Sequence, residues 1–243
     1  MANPEAQPFG DTIDLRTEVI ETCLRLRDKL GYIIGTSGNV SVRVEDGVLV
    51  TPSRMKYDDV RPEDLVVVGW EGRIARGHRL PTSECEMHRR LMLDRPDFGA
   101  LIHTHSPWAS ICACAGRSIP VLSDDMAEII GGEVQCSRHV PSGKHLEMTA
   151  AVLEAIGPDA CAVLLGNHGT MAGGRSLEEA VAACQVIEKS AMTLVLAQAL
   201  GGVRTIPEEA WRWERDRYLN RYGKPEDLAE VIPPPDEELP GAG

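Results

Sequence analysis

Two hairpin turns in the first third of the chain most constrain how it can fold. Asp46-Gly47 separates two apolar segments, 40–44 and 48–51, and Glu71-Gly72 lies within a similar pair over 65–75. Asp-Gly is a favoured pair for the tight turn that joins adjacent antiparallel strands. The sequence therefore predicts a sheet that is largely antiparallel from its beginning.

Helical and extended patterns alternate through the rest of the chain. Helices are predicted at 12–30, 84–94, 107–115, 145–156, 177–200 and after Pro207. Further strands are predicted near 99–104, 119–122, 133–137 and 160–166. With 243 residues, of which 43% are hydrophobic, the chain can bury a full core as one α/β domain, which we place at 1–232. The proline-rich and acidic tail, 233–243, is expected to be disordered.

The charge balance excludes some classes of partner. The formal net charge is −12, with 25 Lys and Arg against 37 Asp and Glu, so no nucleic-acid partner is expected, because phosphate neutralisation needs clustered cations. Neither a signal peptide nor a membrane span is predicted, since the N-terminal residues lack a basic stretch and an apolar core. The seven cysteines form no Cys-x-x-Cys pair, which predicts a reducing, cytoplasmic compartment.

Three histidines at the ends of apolar segments form a candidate metal site. His103 and His105 follow the apolar residues 100–102, and on a strand their side chains leave the same face. His168 follows a second apolar run, 161–165. An isolated His-x-His is more often a hydrogen-bonded pair, whereas three neutral imidazoles with an open fourth position are typical of catalytic zinc.

Glu84 lies at the start of the predicted helix 84–94. Ser83 and Glu86 have the spacing of a capping box, which gives Glu86 a structural role and leaves Glu84 free to reach elsewhere. His88 is four residues further on and is spaced to orient Glu84, although an ordinary hydrogen-bonded role is the commoner one for such a histidine.

Five separated motifs together resemble a known family. They are GTSGNVSVR at 35–43, TPS at 51–53, PTSE at 81–84, HTH at 103–105 and NHG at 167–169. In this order they are similar to the class II aldolase/adducin family, whose members include L-fuculose-1-phosphate aldolases and sugar-phosphate epimerases. The resemblance extends to about Tyr222. It implies a three-layer α/β/α sandwich with a largely antiparallel central sheet, and a homotetramer with active sites between subunits.

The resemblance also implies a set of catalytic roles. His103, His105 and His168 would hold Zn²⁺, or another divalent cation such as Mn²⁺ or Co²⁺. Glu84 would be the general acid/base that moves a proton on and off the carbon beside the ketose carbonyl. Partial burial would favour that role by raising the pKa of Glu84.

The residues expected to bind an anionic substrate come from the same motifs. In the family's aldolases, the positions of Asn39, Ser53, Thr82 and Ser83 bind the substrate phosphate. Arg54 stands where the fuculose-phosphate type has glycine. Its guanidinium would contact phosphate or carboxylate, fill part of the pocket, or face solvent.

The second proton donor departs from the family pattern. Aldolases of the fuculose type have a tyrosine after an Ile-Pro segment, and this chain has Asp124 and Asp125 instead. Asp124 would replace that phenol, or both acids would lie in the first turn of a helix that begins near Met126. Tyr222 resembles a tyrosine that reaches a neighbouring subunit's active site; otherwise it packs the end of the last helix.

The resulting hypothesis is a metal-dependent aldehyde-lyase, a class II aldolase. It would cleave a ketose 1-phosphate of the fuculose, deoxypentulose or methylthioribulose type to dihydroxyacetone phosphate and an aldehyde through an enediolate. A 4-epimerase, dehydratase or decarboxylase of the same family is one alternative. A non-catalytic adducin-like binding domain is another, and the intact His103, His105, His168 and Glu84 count against it.

Overall fold

One antiparallel sheet runs through the molecule, whose computed structural model describes residues 4–224 and 227. These residues contain seven strands in the order β4-β3-β2-β1-β5-β7-β6, and every neighbouring pair is antiparallel. The strands are β1 Asn39–Val44, β2 Gly47–Val50, β3 Val66–Gly69, β4 Ile74–Arg76, β5 Ala100–Thr104, β6 Ala162–Leu165 and β7 Gly169–Gly174. The expected tail, 233–243, lies outside the described residues.

Both predicted hairpins are confirmed. Val44 pairs with Gly47 across the first turn, and Gly72, with a φ of 84°, occupies the second. Positive φ suits glycine because it has no Cβ. The opposite edge of β1 pairs with β5, which brings Asn39 opposite His103.

Helices cover both faces of the sheet and give the three layers expected of the α/β/α sandwich. They are α1 Ile13–Asp28, α2 Cys85–Asp94, α3 Pro107–Cys114, α4 His145–Ile156, α5 Leu177–Ala197 and α6 Glu208–Asn220. On one side α5 contacts both α1 and α3, whereas α2 packs with α4 on the other. Thr12 caps α1 by accepting a hydrogen bond from the backbone N–H of Leu15, a favoured role for threonine at a helix N-terminus.

The central helix α5 supplies much of the core. The segment Leu177–Leu200 is long and apolar enough to cross a bilayer. Its apolar side chains, including Val181, Ile187 and Ala191, are instead buried where the helix packs against β5 and β7. This is the burial pattern of a core helix.

Two of the predicted strands are wrong. The segments 119–122 and 133–137 form only isolated bridges, between Ile119 and Val134 and between Cys136 and Leu164. The sequence analysis also missed β7, because three of the six residues in its sequence GTMAGG are glycine, which is depleted in strands. A π-helix, Met126–Ile130, begins where an α-helix was expected.

The buried carboxylate of Glu188, on α5, holds the beginning of α3. Its two oxygens accept hydrogen bonds of 2.9 Å each from the backbone N–H groups of Trp108 and Ala109. These N–H groups have no partner inside their own helix, and a negative charge at a helix N-terminus is favourable. Since α3 begins two residues after His105, Glu188 also fixes the end of β5.

We expect Glu188→Ala to lower the free energy of unfolding by about 3 kcal/mol, because two buried N–H donors lose a charged acceptor. Glu188→Gln, which keeps one acceptor oxygen, should lose less. Glu178→Ala, an exposed glutamate on the same helix, is the matched control and should change stability by less than about 0.5 kcal/mol. Urea denaturation measures all three, and equal losses for Ala at both positions would contradict the anchoring role.

Candidate active site

Three histidines converge where β5 ends beside the β6–β7 hairpin. Because β5 pairs with β7, Thr104 lies opposite Thr170, and the turn before β7 carries His168 to the end of β5. One ring nitrogen from each of His103, His105 and His168 lies within 4.8 Å of the others. The predicted histidine cluster is therefore present.

Hydrogen bonding orients the rings. Nδ1 of His103 lies 2.8 Å from the carbonyl oxygen of Thr170, so this nitrogen carries the proton and Nε2 keeps its lone pair. Nε2 of His105 is only 3.0 Å from that lone pair. Nδ1 of His168 is buried and has no hydrogen-bond partner among the described residues. Such a donor set fits a divalent cation.

The surroundings keep the imidazoles of His105 and His168 in their neutral, metal-binding form. Burial, together with the neighbouring His103 and His168, lowers the pKa of His105 to about 4. Burial also lowers the pKa of His168. Both rings are consequently neutral near pH 7, so no proton has to leave before a metal binds.

The β6–β7 turn needs two special residues to bring His168 close. Asn167 adopts a φ of 58°, a conformation that Asn tolerates better than most residues. At Gly169, an added Cβ would lie 2.4 Å from the carbonyl oxygen of Thr104 and 3.1 Å from ring carbons of both His103 and His105. Glycine is thus required here by the close approach of β5.

Glu84 lies against the histidine cluster and is 6% exposed. Its Oε2 is 3.4 Å from Nε2 of His103, and its Oε1 is 3.5 Å from Nε2 of His168. Asn39 donates a 2.7 Å hydrogen bond from Nδ2 to Oε2. The carboxylate therefore points at the place where the three imidazoles meet.

The expected rise in the pKa of Glu84 is not found. Burial alone raises it, but the neighbouring ring of His103 and the hydrogen bond from Asn39, with smaller contributions from His168 and His88, hold the pKa below its usual value. Glu84 is accordingly ionised at neutral pH, in the form that accepts a proton.

The capping box predicted at the start of α2 is wrong. The helix begins at Cys85, its N-cap residue is Glu84, and no side chain caps it. Glu86 instead pairs with Arg89 at 2.7 Å. The side chain of Glu84 turns away from its own helix toward Asn39 and the histidines. It therefore accepts no hydrogen bond from the backbone N–H groups at the start of α2.

An open cleft of about 890 Å³ lies in front of Glu84 and the histidines. Its floor is built by two loops that run side by side, since the N–H of Ser53 donates to Leu80 and that of Thr82 donates to Thr51. The cleft is lined by all of the predicted phosphate-binding and metal-binding residues, namely Asn39, Ser53, Arg54, Thr82, Ser83, His103, His105 and His168, together with Glu84.

Arg54 is exposed and has a φ of 59°, in the left-handed region that costs a residue with a Cβ about 1 kcal/mol or more. Among the described residues it has no hydrogen-bond or ion-pair partner, and it is the one Lys or Arg that lines the cleft. Glycine, which the fuculose-phosphate type has at this position, would adopt the same conformation without strain.

The structure does not bring Asp124 or Tyr222 to the cleft of the same chain. Asp124 is exposed and does not line the cleft, whereas Asp125 accepts a hydrogen bond from the N–H of Met126 and pairs with Lys189. Tyr222 is 57% exposed and lies beside Tyr218, 5.8 Å between ring centroids. Their catalytic roles stay predictions.

Three functional candidates escaped the sequence analysis, namely Ser41, Ser142 and His145, whereas His88 had been considered for orienting Glu84. Ser142 and His145 line the far side of the cleft, and Nδ1 of His145 is buried without a partner among the described residues. His88 and Ser41 lie behind Glu84, hydrogen-bonded to each other at 2.6 Å. The available signal was the alternation in β1, NVSVRV, which places Ser41 on the same face of the strand as Asn39.

Known proteins share both the sequence and the fold. Residues 17–195 match the family described as class II aldolase and adducin N-terminal domain. A 5-methylthioribulose-1-phosphate/5-deoxyribulose-1-phosphate aldolase of Rhodospirillum rubrum is 34% identical over 93% of this chain and 99% of its own length. A 5-deoxy-D-ribulose 1-phosphate aldolase of Bacillus thuringiensis is 34% identical over 74% of this chain and 84% of its own length.

Among solved structures, an L-fuculose 1-phosphate aldolase superposes with a TM-score of 0.80 at 28% identity and covers 85% of this chain and 97% of its own. The match extends over nearly three quarters of the sequence and includes the strands and turns that carry the histidines and Glu84. The chain therefore belongs to the class II aldolase and adducin family, as a lyase of the class II aldolase type.

Proposed function

We propose that this protein is a zinc-dependent aldolase that cleaves a 5-deoxy- or 5-methylthio-pentulose 1-phosphate, or a fuculose 1-phosphate, to dihydroxyacetone phosphate and an aldehyde. The observation that carries the proposal is the orientation of a buried carboxylate, Glu84, toward three clustered imidazoles at the base of an open cleft. The named activities of the two relatives from Rhodospirillum rubrum and Bacillus thuringiensis support the choice of substrate class.

The metal proposal rests on the donor set. Three imidazole nitrogens with space on the cleft side are the ligands of a catalytic zinc ion, and the residues that would hold it are His103, His105 and His168. When bound, such an ion is a Lewis acid that stabilises negative charge developing on substrate oxygens. Mn²⁺ and Co²⁺ are accepted by the same ligands.

Glu84 would carry the proton transfers. Breaking the bond between C3 and C4 of the ketose leaves the bonding electrons on the three-carbon fragment, as an enediolate, while the C4 hydroxyl loses its proton to a base and becomes the carbonyl of the aldehyde. A proton must then be added to C3 to give dihydroxyacetone phosphate, and in the reverse direction it must be removed. Glu84 is buried, held by Asn39, and lines the cleft, so its carboxyl group would serve as general acid and base.

The phosphate would lie against the loops at 51–54 and 80–83. The hydroxyl groups of Ser53, Thr82 and Ser83 make no hydrogen bond within the described residues, although all three line the cleft. They are therefore available to a phosphate, and Asn39 has a second amide hydrogen beside them. Arg54 is the one Lys or Arg that lines the cleft, so it would add a positive charge beside the phosphate although the net charge of the protein is −12.

Asp124 and Tyr222 would act from a neighbouring subunit. Neither lines the cleft of its own chain, so a role in protonating the aldehyde oxygen requires a second copy. This supports the proposal of a homotetramer with active sites between subunits.

We place the single domain at 1–232, and the seven free cysteines support a cytoplasmic location.

The proposed reaction predicts release of dihydroxyacetone phosphate when the zinc-loaded protein meets a panel of three substrates, 5-deoxyribulose, 5-methylthioribulose and fuculose 1-phosphates. Glu84→Gln should retain zinc and lower kcat by about 100-fold or more, because a general acid/base is lost. A coupled assay and elemental analysis measure both. Inversion at C4 without fragmentation would indicate an epimerase, loss of water a dehydratase, and carbon dioxide from a carboxylated substrate a decarboxylase.

Gly169→Ala should weaken zinc binding by about tenfold or more, because the new methyl group would displace the backbone of β5 and both of its histidines. Gly132→Ala is the matched control, since its Cβ would meet no atom closer than 3.7 Å. Zinc titration with circular dichroism as the check on folding compares the two. Equal zinc affinities would mean that the close approach at Gly169 does not position the histidines.

Arg54→Gly should raise KM for the ketose 1-phosphate about tenfold, as a charged contact to phosphate is lost, and leave kcat within about twofold. The same variant should unfold no more easily than the parent protein, because glycine adopts the φ of 59° without strain. Arg54→Lys keeps the charge and should raise KM less. An unchanged KM in the glycine variant would place Arg54 on the solvent-exposed surface.

A further inference from the structure

A chain of buried polar groups continues behind Glu84, away from the cleft. Asn39 and Ser41 lie two residues apart on β1, so both side chains face α2, where His88 is fully buried. Nε2 of His88 lies 2.5 Å from Oδ1 of Asn39, and Nδ1 lies 2.6 Å from Oγ of Ser41. His88 does not line the cleft.

The chemistry of each group fixes the direction of every hydrogen bond in this chain. The carboxylate of Glu84 can only accept, so Asn39 must present Nδ2 to it, at 2.7 Å, and Oδ1 to His88. Oδ1 can only accept as well, so Nε2 of His88 carries the proton. With His88 neutral, because burial lowers its pKa to about 3, Nδ1 accepts from the hydroxyl of Ser41.

We propose that His88 is a positioning residue for catalysis, which acts through Asn39 to hold the carboxylate of Glu84 toward the histidine cluster; this rests on the proposed function. A rotated Asn39 amide would place Oδ1 against the Glu84 carboxylate and Nδ2 against the N–H of His88. Both contacts are repulsive. With the proton of His88 on Nε2, Glu84 and His88 together therefore exclude the other orientation of the amide.

The separation of the Glu84 and His88 side chains explains why an asparagine lies between them in this series of hydrogen bonds. His88 is four residues after Glu84 on the same side of α2, yet the two side chains do not bond directly, because Glu84 turns toward His103 and His168. An amide, with a donor and an acceptor at opposite corners, spans the gap in one defined direction. Partners of this kind around a metal site typically contribute tenfold to 100-fold in activity.

The first test compares four variants of the zinc-loaded full-length protein. His88→Leu removes the donor and should lower kcat tenfold to 100-fold with KM and zinc content within about twofold. His88→Asn, polar but too short to reach Asn39, should behave in the same way and remains informative if the leucine variant does not fold. His88→Gln can still donate to Oδ1 and should restore kcat to within about threefold. Thr12→Ala, which removes the cap of α1, destabilises the fold elsewhere by about 1 kcal/mol and should leave kcat unchanged.

Adding His88→Leu to Glu84→Gln separates positioning from general destabilisation. If His88 acts through Glu84, the second substitution should cost less than about threefold once the carboxylate is gone. The proposal would be overturned if the fall in kcat of the double variant equalled the product of the two single falls. It would also be overturned if kcat fell as much in Thr12→Ala as in His88→Leu.

Nitrogen-15 NMR of the histidine rings provides a readout that does not depend on turnover. His88 should be neutral with the proton on Nε2 between pH 5 and pH 8, and Ser41→Ala should leave that proton in place. A proton on Nδ1 would overturn the direction of the chain. If no ketose 1-phosphate is cleaved, the proposed function fails, whereas the tautomer still decides whether the hydrogen bonds run as inferred.

Discussion

The pairing of β5 with β7 is the constraint on which the rest of the site depends. It joins residues that are more than sixty positions apart and sets His168 beside His103 and His105. The pairing is tight because Gly169 allows the backbone of β5 to approach within a distance that no side chain would permit. The same contact supplies the carbonyl of Thr170 that fixes the tautomer of His103. Backbone geometry thus positions the rings and also selects their ligating nitrogen.

Electrostatics in the site are arranged locally and against the overall charge. A chain with a net charge of −12 repels a phosphate ester at long range, and screening removes that repulsion beyond about 10 Å. At short range the site offers the guanidinium of Arg54 and hydroxyl groups on two loops, none of which has a partner among the described residues. The strained backbone of Arg54 suggests a functional reason for its retention, since a charge directed into a cleft can outweigh a local conformational cost.

Sequence patterns predicted the helices and hairpins that form because of their own local sequence. The Asp46-Gly47 hairpin and the helices α4 and α5 followed from turn chemistry and apolar spacing. Elements whose cause is tertiary were missed: β7 is glycine-rich, and it forms because β5 and β6 offer it hydrogen bonds on both edges. The wrong capping box has a similar origin. Ser83 and Glu86 have the right spacing, but Glu84 turns toward the histidines and accepts a hydrogen bond from Asn39, and the helix begins without a side-chain cap.

The roles of single residues were harder to predict than their presence at the site, and Asn39 shows why. The resemblance predicts that it is a phosphate ligand, and the side chain does line the cleft. Its amide oxygen and one amide hydrogen are nevertheless committed to His88 and Glu84, which leaves only one hydrogen for a substrate. A residue that bonds to both the general acid/base and the anion would couple them, because a phosphate that pulls on the amide also moves Glu84. Recognition of the phosphate and alignment of the proton-transfer group would then depend on the same side chain.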